Sequence, residues 1–399
     1  MKTSGLDVHK DNVFCAIYNG KDYSVVKTYL TLTNSLYAMG EYLLEQGVRR
    51  VAMESTGIYW IPVWNILEAM GFELILVNPY HIKQIPGRKS DAKDAQWISE
   101  LLYKGLLRSS LVPNVTIREL RCYSRKYVKL QQQITSVYQQ IERCLEMCNI
   151  RLTCFVSNIS GVSVSRVVKA IIAGEDNPLV LEELVHGRIR NKHKENIRES
   201  LTGFITSHMR FSLELLQEQL DLLLTHAEKC LSCMRSLCRT HYSTQLEVLT
   251  TLPGVDELAA MLLIAETGAD MKPFESSARF AGWTGLRPGN DESNGKYKST
   301  AITKGNKYLC AILVQIAWAA SRTKGSFFME KLNRLAMRKS RKKALIAIAR
   351  KMAVIIWNLL SRKEAYNPCL LPVYDPLKIK AKINYHQKEI SRLDKLATG

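Results

Sequence analysis

A mixed α/β domain followed by a mainly helical region is the fold predicted for this 399-residue chain, on three observations. Short apolar runs and amphipathic segments alternate over the first hundred residues, the pattern of strands interleaved with helices. From about residue 113 the text changes to long stretches with apolar positions every three or four residues, which signals helix on helix. The chain is also too long for one ordinary core and long enough for two or three domains.

In the first region, "SGLDVHKDNVFCAIYNGKDYSVVKTYLTL" reads as two β-runs around Asn19-Gly20, a dipeptide suited to the positive φ of a hairpin turn. "NSLYAMGEYLLEQG" reads as an amphipathic helix with Asn34 as N-cap and Gly47 as its stop. "RRVAMEST" is a short strand, "GIYWIPVWNILEAMG" a helix, and "FELILVN" a buried strand that breaks at Asn78-Pro79. Past a loop with Pro86 and Gly87, a helix starting near Asp91 places Ala95, Ile98, Leu101 and Leu102 on one face.

The second region holds two long amphipathic segments, "IRELRCYSRKYVKLQQQITSVYQQIERCLEMCNI" and "FITSHMRFSLELLQEQLDLLLTHAEKCLSCMRSL". Neither buries its apolar stripe alone, so an antiparallel coiled-coil hairpin, a dimer interface or an ordinary helical bundle is expected. The third region opens with "LTTLPGVDELAAMLLIAETG", two helices about Pro253-Gly254. The N–H groups of that turn could hold a phosphate, and any helix-turn-helix connection uses the same residues. A loop rich in glycine and lysine follows, then the helix "CAILVQIAWAASR", and beyond Gly325 a helical stretch with lysines and arginines on one face and aliphatics on the other. Pro368, Pro372 and Pro376 predict an irregular tail. The expected domains are 1–112, 113–245, 246–367 and a tail over 368–399.

The net charge of +19 and a pI near 9.5 set the class of partner. Self-repulsion of this size is relieved by a polyanion, and nucleic acid is the commonest one. An anionic membrane surface is the runner-up, but no apolar run approaches the roughly 18 residues of a spanning helix, so no membrane partner is expected. The first residues lack a signal-peptide core, which predicts a cytoplasmic protein. Of the ten cysteines, Cys230, Cys233 and Cys238 have a spacing that suits zinc or redox chemistry. Zinc would need a fourth ligand from among Cys144, Cys148 and His241, and a reducing cytoplasm favours free thiols.

The informative acids lie in the first domain. Asp7 sits between apolar neighbours in the first strand, Glu54 closes a later strand, and Asp91 and Asp94 begin the last helix of the α/β region. This is the layout of an RNase H-like nuclease domain, in which acids distant in sequence converge at one end of the sheet. Packed carboxylates repel one another unless a cation sits among them, and hard oxygen ligands select magnesium or manganese. The i, i+3 spacing of Asp91 and Asp94 puts both on one helix face. Asp91 also suits an N-cap, Asp7 a solvent-facing strand position and Glu54 a sheet edge.

The chain resembles a known family through a series of motifs in order: "GLDVHKD", "AMESTGIYW", "VNPYHIKQIPGRKSDAKDAQWISELL", "TLPGVDELAAMLLIAETG" and "FAGWTGLRPGNDESNGKYKSTAITKGNKYL". These are similar to the transposases of the insertion sequence 110 family, over most of the chain from Gly5 to about Arg322. The resemblance implies an N-terminal RuvC-like domain whose D-E-D-D quartet, here Asp7, Glu54, Asp91 and Asp94, binds magnesium. It implies central coiled-coil helices and a mainly helical C-terminal transposase domain. There a nucleophilic serine stands in a P-x-x-x-E-S-x-G-K loop; "PGNDESNGK" makes it Ser293, with Asn294 where small residues are frequent. Ser299, Thr300 and Thr303 share the loop and are not distinguished from Ser293 by chemistry alone. Lys296, Lys298, Lys304 and Lys307 suit contact with a phosphate backbone or simple solvated charge. The resemblance further implies a structured noncoding guide RNA that pairs with donor and target DNA, and a prokaryotic, nucleoid-associated location. It also implies a homodimer or dimer of dimers, with one subunit's acids facing another's serine. The expected function is a DNA recombinase that moves its own element through a covalent phosphoserine link. A junction-resolving nuclease using the acids and water, and a nonenzymatic nucleic-acid-binding protein, are the rivals. The sequence contains no G-x-x-x-x-G-K-[ST] nucleotide loop.

Overall fold

The structure, a computed structural model, describes residues 2–78, 91–289, 291–293, 296–299, 301–368 and 376–398. Pro79, Pro86, Gly87, Asn294, Thr300 and Pro372 lie outside the described residues, as do the side chains of Asp91, Ser293, Lys296 and Lys298. The chain divides into two compact units, Met1–Pro113 and Asn114–Gly399.

The N-terminal unit is built on a five-stranded sheet. β1 (Lys2–Val8), β2 (Asn12–Tyr18) and β3 (Lys27–Leu30) form an antiparallel meander; β4 (Val48–Glu54) and β5 (Glu73–Val77) add in parallel to give the order β3-β2-β1-β4-β5. This is the RNase H-like arrangement of a mixed sheet, with helices supplying the crossovers between parallel strands. α1 (Thr33–Glu45) precedes β4, α2 (Trp60–Ala69) precedes β5, and α3 (Asp91–Tyr103) follows. Alternation along the strands sorts the two faces. Leu6, Val8, Val51 and Met53 join Leu36, Met39 and Leu43 of α1 and Val63 and Leu67 of α2 in one core. Ala52 and Val77 face the other way and pack with Ile98 and Leu102 of α3.

The stretch expected to form two β-runs forms three strands. The polar run His9-Lys10-Asp11 breaks it a second time, and His9 N donates to Asn12 O at 2.9 Å across that tight connection. Three consecutive polar residues have no core to face, so the chain turns there.

The C-terminal unit is dominated by α4 (Val115–Met147), whose first turn is capped by the Asn114 side chain accepting from Ile117 N. The segment after it folds into α5 (Val162–Ile172), α6 (Pro178–Glu183), α7 (Gly187–Lys192) and α8 (Lys194–Ser200), and α9 (Ser207–His241) then returns along α4. The two long helices run antiparallel: Cys144, near the end of α4, lies 3.7 Å from Met209 at the start of α9. Leu130, Ile134, Val137 and Ile141 meet Leu213, Leu220, Leu223 and Ala227 in one apolar seam, joined by Val164, Val167 and Ile171 of α5.

The remainder comprises α10 (Ser243–Thr250), α11 (Glu257–Thr267), α12 (Ser277–Trp283), a hairpin of β6 (Asp291–Ser293) and β7 (Lys296–Ser299), then α13 (Lys307–Ala320), α14 (Phe327–Ala336), α15 (Arg341–Arg362) and α16 (Pro376–Thr398). Two expectations are corrected here. The tail is helical from Pro376, because proline at the first helical position gives up an N–H that had no intrahelical partner. α15 is also long and apolar enough to cross a membrane, with mean hydropathy 1.6, although half of that window is buried within the protein. Ala344, Ile348, Met352, Ile356 and Leu359 are among the buried positions, and α15 packs on α12, α13 and α14, which accounts for its apolar length as core.

Candidate active site

Asp7, next to last in β1, and Glu54, last in β4, stand near the ends of adjacent parallel strands. Gly5 pairs with Ala52 and Leu6 with Met53, so each acid lies one position beyond the last paired residue, on strands about 4.8 Å apart. Parity gives their direction. Asp7 shares a face with Gly5, and Glu54 with Ala52, which packs on α3, so both acids project on the α3 side of the sheet.

Gly5 is what lets α3 lie there. A Cβ at this position would stand 2.2 Å from Ala95 O and 2.4 Å from Ser99 N, so the helix backbone rests on the strand backbone. Thr3 Oγ1 donates to Ser99 O at 2.8 Å two residues earlier on the strand. The two contacts show helix and strand running in opposite senses. Two strand residues advance about 6.7 Å and four helix residues about 6 Å, so Asp7 falls level with the first turn of α3, where Asp91 and Asp94 stand. The register and the Gly5 contact thus bring the start of α3 to the end of the sheet where Asp7 and Glu54 stand.

Asp7 is buried, 6% exposed, and Glu54 and Asp94 are half-buried. Asp7 Oδ2 lies 3.0 Å from His9 Nε2, and Thr56 Oγ1 donates to Glu54 Oε1 at 3.3 Å. His9 lies two residues beyond Asp7 in "GLDVHK", in the polar run just past the end of β1. Among the described residues no group of three His, Cys, Asp or Glu is close enough to hold a metal ion. As chemistry the donors fit: carboxylate oxygens, one of them buried, are the ligands a hard divalent cation takes.

Ser293 is the last residue of β6, paired with Lys296 at the tip of the hairpin. Below it the hairpin is held by Asp291 opposite Ser299, by Gly289 N donating to Ala301 O at 2.8 Å, and by Thr303 N donating to Arg287 O at 2.9 Å. At its root Gly285, with φ +81°, and Gly305 meet backbone to backbone, and a Cβ on Gly305 would stand 2.3 Å from Gly285 N. Ser299 is exposed and Thr303 half-buried, both away from the tip. Lys304 and Lys307 are exposed at the hairpin's exit, with the Lys307 ammonium 5.3 Å from the Tyr308 ring centre.

The Pro253-Gly254 turn serves packing. Gly254 has φ +84°, and a Cβ there would lie 2.6 Å from both Ala320 N and Ile316 O of α13. Cys230, Cys233 and Cys238 lie along α9; Cys238 is buried, and burial, reinforced by the Glu257 charge, pushes its thiol up to about 12.

Comparison with known proteins agrees with these motifs. Residues 4–150 match the transposase family DEDD_Tnp_IS110, and residues 246–332 match the transposase IS116/IS110/IS902 family. A probable family 20 transposase of Pseudomonas aeruginosa is 24% identical over 80% of this chain and 86% of its own length. The transposase for insertion sequence element IS1111A of Coxiella burnetii is 25% identical over 79% of both chains. Among solved structures, T. thermophilus RuvC in complex with a Holliday junction substrate aligns with 28% of this chain and 99% of its own, at 14% identity and a TM-score of 0.22. The chain belongs to the insertion sequence 110 family of transposases.

Proposed function

We propose that the protein is a DNA recombinase that excises and inserts a mobile element through a covalent serine–DNA link, directed by a structured noncoding RNA. Asp7, Glu54, Asp91 and Asp94 would hold magnesium, with manganese as a substitute. When bound, the ion would supply Lewis-acid stabilisation of the charge that develops on the phosphate. The observation that supports the reading is the meeting of the β1 and β4 ends with the start of α3 at the Gly5 contact.

The residues of the chain divide the work. Ser293 Oγ forms a bond to phosphorus while the bond from phosphorus to one bridging oxygen breaks; the serine proton ends on the departing DNA hydroxyl. Attack by a DNA hydroxyl on the phosphoserine reverses the exchange and rejoins strands. Bond energy is conserved, so no nucleotide hydrolysis is needed. Lys296, Lys298, Lys304 and Lys307 would hold the phosphate backbone around the hairpin. With base pairing to an RNA carrying sequence choice, the protein's own contacts need only read backbone shape, which suits its surplus of positive charge. A homodimer or dimer of dimers assembled through the long helices would present two DNA duplexes together.

The test is the Ser293→Ala variant with the element's end DNA and the RNA encoded beside it. A covalent protein–DNA adduct is expected from the native chain, and both adduct and strand cleavage should disappear in the variant. Cleavage that survives the substitution would support the metal-dependent junction nuclease instead.

A further inference from the structure

Glu266 on α11 is fully buried, yet the transfer chemistry makes no use of it. Its carboxylate is held by a two-pronged contact with one guanidinium: Arg125 Nε donates to Oε1 at 2.8 Å and Nη2 to Oε2 at 2.9 Å. Asn306 Nδ2 donates to the same Oε2 at 2.6 Å. Arg121, one turn earlier on α4, donates to the main-chain oxygens of Ala265 and Glu266, each at 3.0 Å. Burial alone would raise the Glu266 carboxyl, but the hydrogen bonds from Arg125 and Asn306 and the charges of both arginines outweigh it and hold it below the ordinary range. A buried ion pair adds little as glue; what it supplies is a defined geometry.

That geometry leads to the serine hairpin. Asn306 Oδ1 caps α13 by accepting from Tyr308 N at 3.1 Å and Leu309 N at 3.2 Å, and Asn306 N donates to Trp283 O at 3.4 Å. The residue before it, Gly305, is the one that rests on Gly285 at the hairpin's root. Arg125 also lies over the Tyr308 ring, 4.6 Å from its centre. Both arms of the hairpin therefore leave the core beside one residue, Asn306, whose side chain is tied through Glu266 to Arg125 of α4.

We infer that Glu266 is a positioning residue for the Ser293 hairpin, fixing the hairpin's root to the long helix α4 through Asn306 so that the nucleophile is presented in one place. This inference rests on Ser293 being the nucleophile.

Two substitutions separate positioning from general support. Asn306→Ser keeps a good N-cap for α13 but is too short to reach Glu266. Asn306→Asp keeps the cap and sets a second carboxylate against the first. The full-length protein, loaded with the RNA encoded beside the element, is assayed for phosphoserine adduct over a range of end-DNA concentrations, with thermal unfolding measured alongside. Asn306→Ser should lower the maximal rate about tenfold or more while leaving the half-saturating DNA concentration unchanged, the signature of misplaced reacting atoms. Asn306→Asp should be slow near pH 8 and recover relative to the native chain as the pH is lowered by roughly two units, because carboxylates this close share a proton that restores the bond. The groups facing that pair are Arg121 and Arg125 from α4 and Lys307 and Tyr308 from α13. Unaltered rates in both variants, or a defect in Asn306→Asp that lower pH does not relieve, would overturn the inference. Absence of any adduct from the native protein would instead sink the assignment of Ser293.

Discussion

The N-terminal unit hangs its candidate chemistry directly on a sheet, whereas the C-terminal unit carries its own at the tip of a two-stranded hairpin. Asp7 and Glu54 are fixed by the register of β1 and β4, and α3 is fixed by van der Waals contact with Gly5. Backbone pairing and close packing define most of the placement, with one buried hydrogen bond from Thr3 to Ser99 O joining α3 to the strand. A hairpin of two short strands has no such frame; isolated pairs of strands are marginal in water. Its root is held instead by a buried charge network through Glu266, Arg125 and Asn306. A scaffold that lacks layers obtains precision from polar geometry, and that makes the two units vulnerable to different substitutions.

The largest stability effect is expected at the polar anchor. Glu266→Ala leaves Arg125 and Asn306 without their acceptor; breaking a buried pair costs about 3–5 kcal/mol, and the half-exposed Arg125 places this case at the lower end. Glu266→Gln adds a pH test. Because the folded carboxyl lies below its ordinary value of 4.5, the charge contributes stability above that pH and loses it as pH falls through the lower folded value. The difference between native and Glu266→Gln proteins in urea unfolding should therefore be full at pH 7 and close in the acid range below 4.5. A difference that persists there would mean the charge is not what anchors the root.

The matching test of the other unit is Gly5→Ala. One methyl group there meets Ala95 O at 2.2 Å, so α3 must move off the sheet at an expected cost of about 1–3 kcal/mol. Since α3 carries Asp91 and Asp94, divalent-ion binding should weaken in parallel, as read by titration calorimetry with manganese. Loss of stability with undiminished ion binding would separate the helix from the site.

The two placements were also unequally legible in the sequence. Acids at strand ends flanked by apolar residues are visible in a linear reading, and so were Ala95, Ile98, Leu101 and Leu102, all buried as their spacing requires. The Gly5 contact was not visible, because the backbone it meets lies some 90 residues away in the chain. Glu266 was hidden more thoroughly. In "LLIAETG" it stands beside Thr267 and Gly268 at a helix end, the position of a surface residue, and its burial depends on Arg125, 141 residues distant. The break at His9-Lys10-Asp11 was readable from its polarity but was masked by the stronger Asn19-Gly20 turn signal. Three prolines in the tail signal a break, yet the last of them opens a helix, because proline fits the first helical position.

A smaller effect is expected at His9. Its Nε2 lies 3.0 Å from Asp7 Oδ2, and on the metal role proposed for Asp7 a group that orients its carboxylate is worth about 10–100-fold in metal affinity. His9→Ala should weaken manganese binding by that factor with little change in unfolding, since the side chain is 46% exposed. An unchanged affinity would show that sheet register alone positions Asp7.

The mildest test concerns charge, where the contrast between the units is widest. Met1–Pro113 holds 12 Lys and Arg against 11 Asp and Glu, so the +19 of the chain belongs almost entirely to the C-terminal unit. Between Arg322 and Lys351 there are 11 basic residues and a single acid, Glu330. Arg341, Lys342 and Lys343 crowd the first turn of α15 with no acid among them, against the sense of the helix dipole. Such a cluster is costly unless phosphates offset it. Replacing Lys342 and Lys343 with alanine should flatten the dependence of duplex binding on salt by about 0.9 per lost phosphate contact, close to two for the pair, in anisotropy titrations over a range of NaCl. The same change at the exposed Lys10 and Lys21 of the near-neutral unit should leave the slope as it was. Equal flattening from both pairs would mean that the duplex runs along both units and that the uneven charge does not decide where the backbone lies.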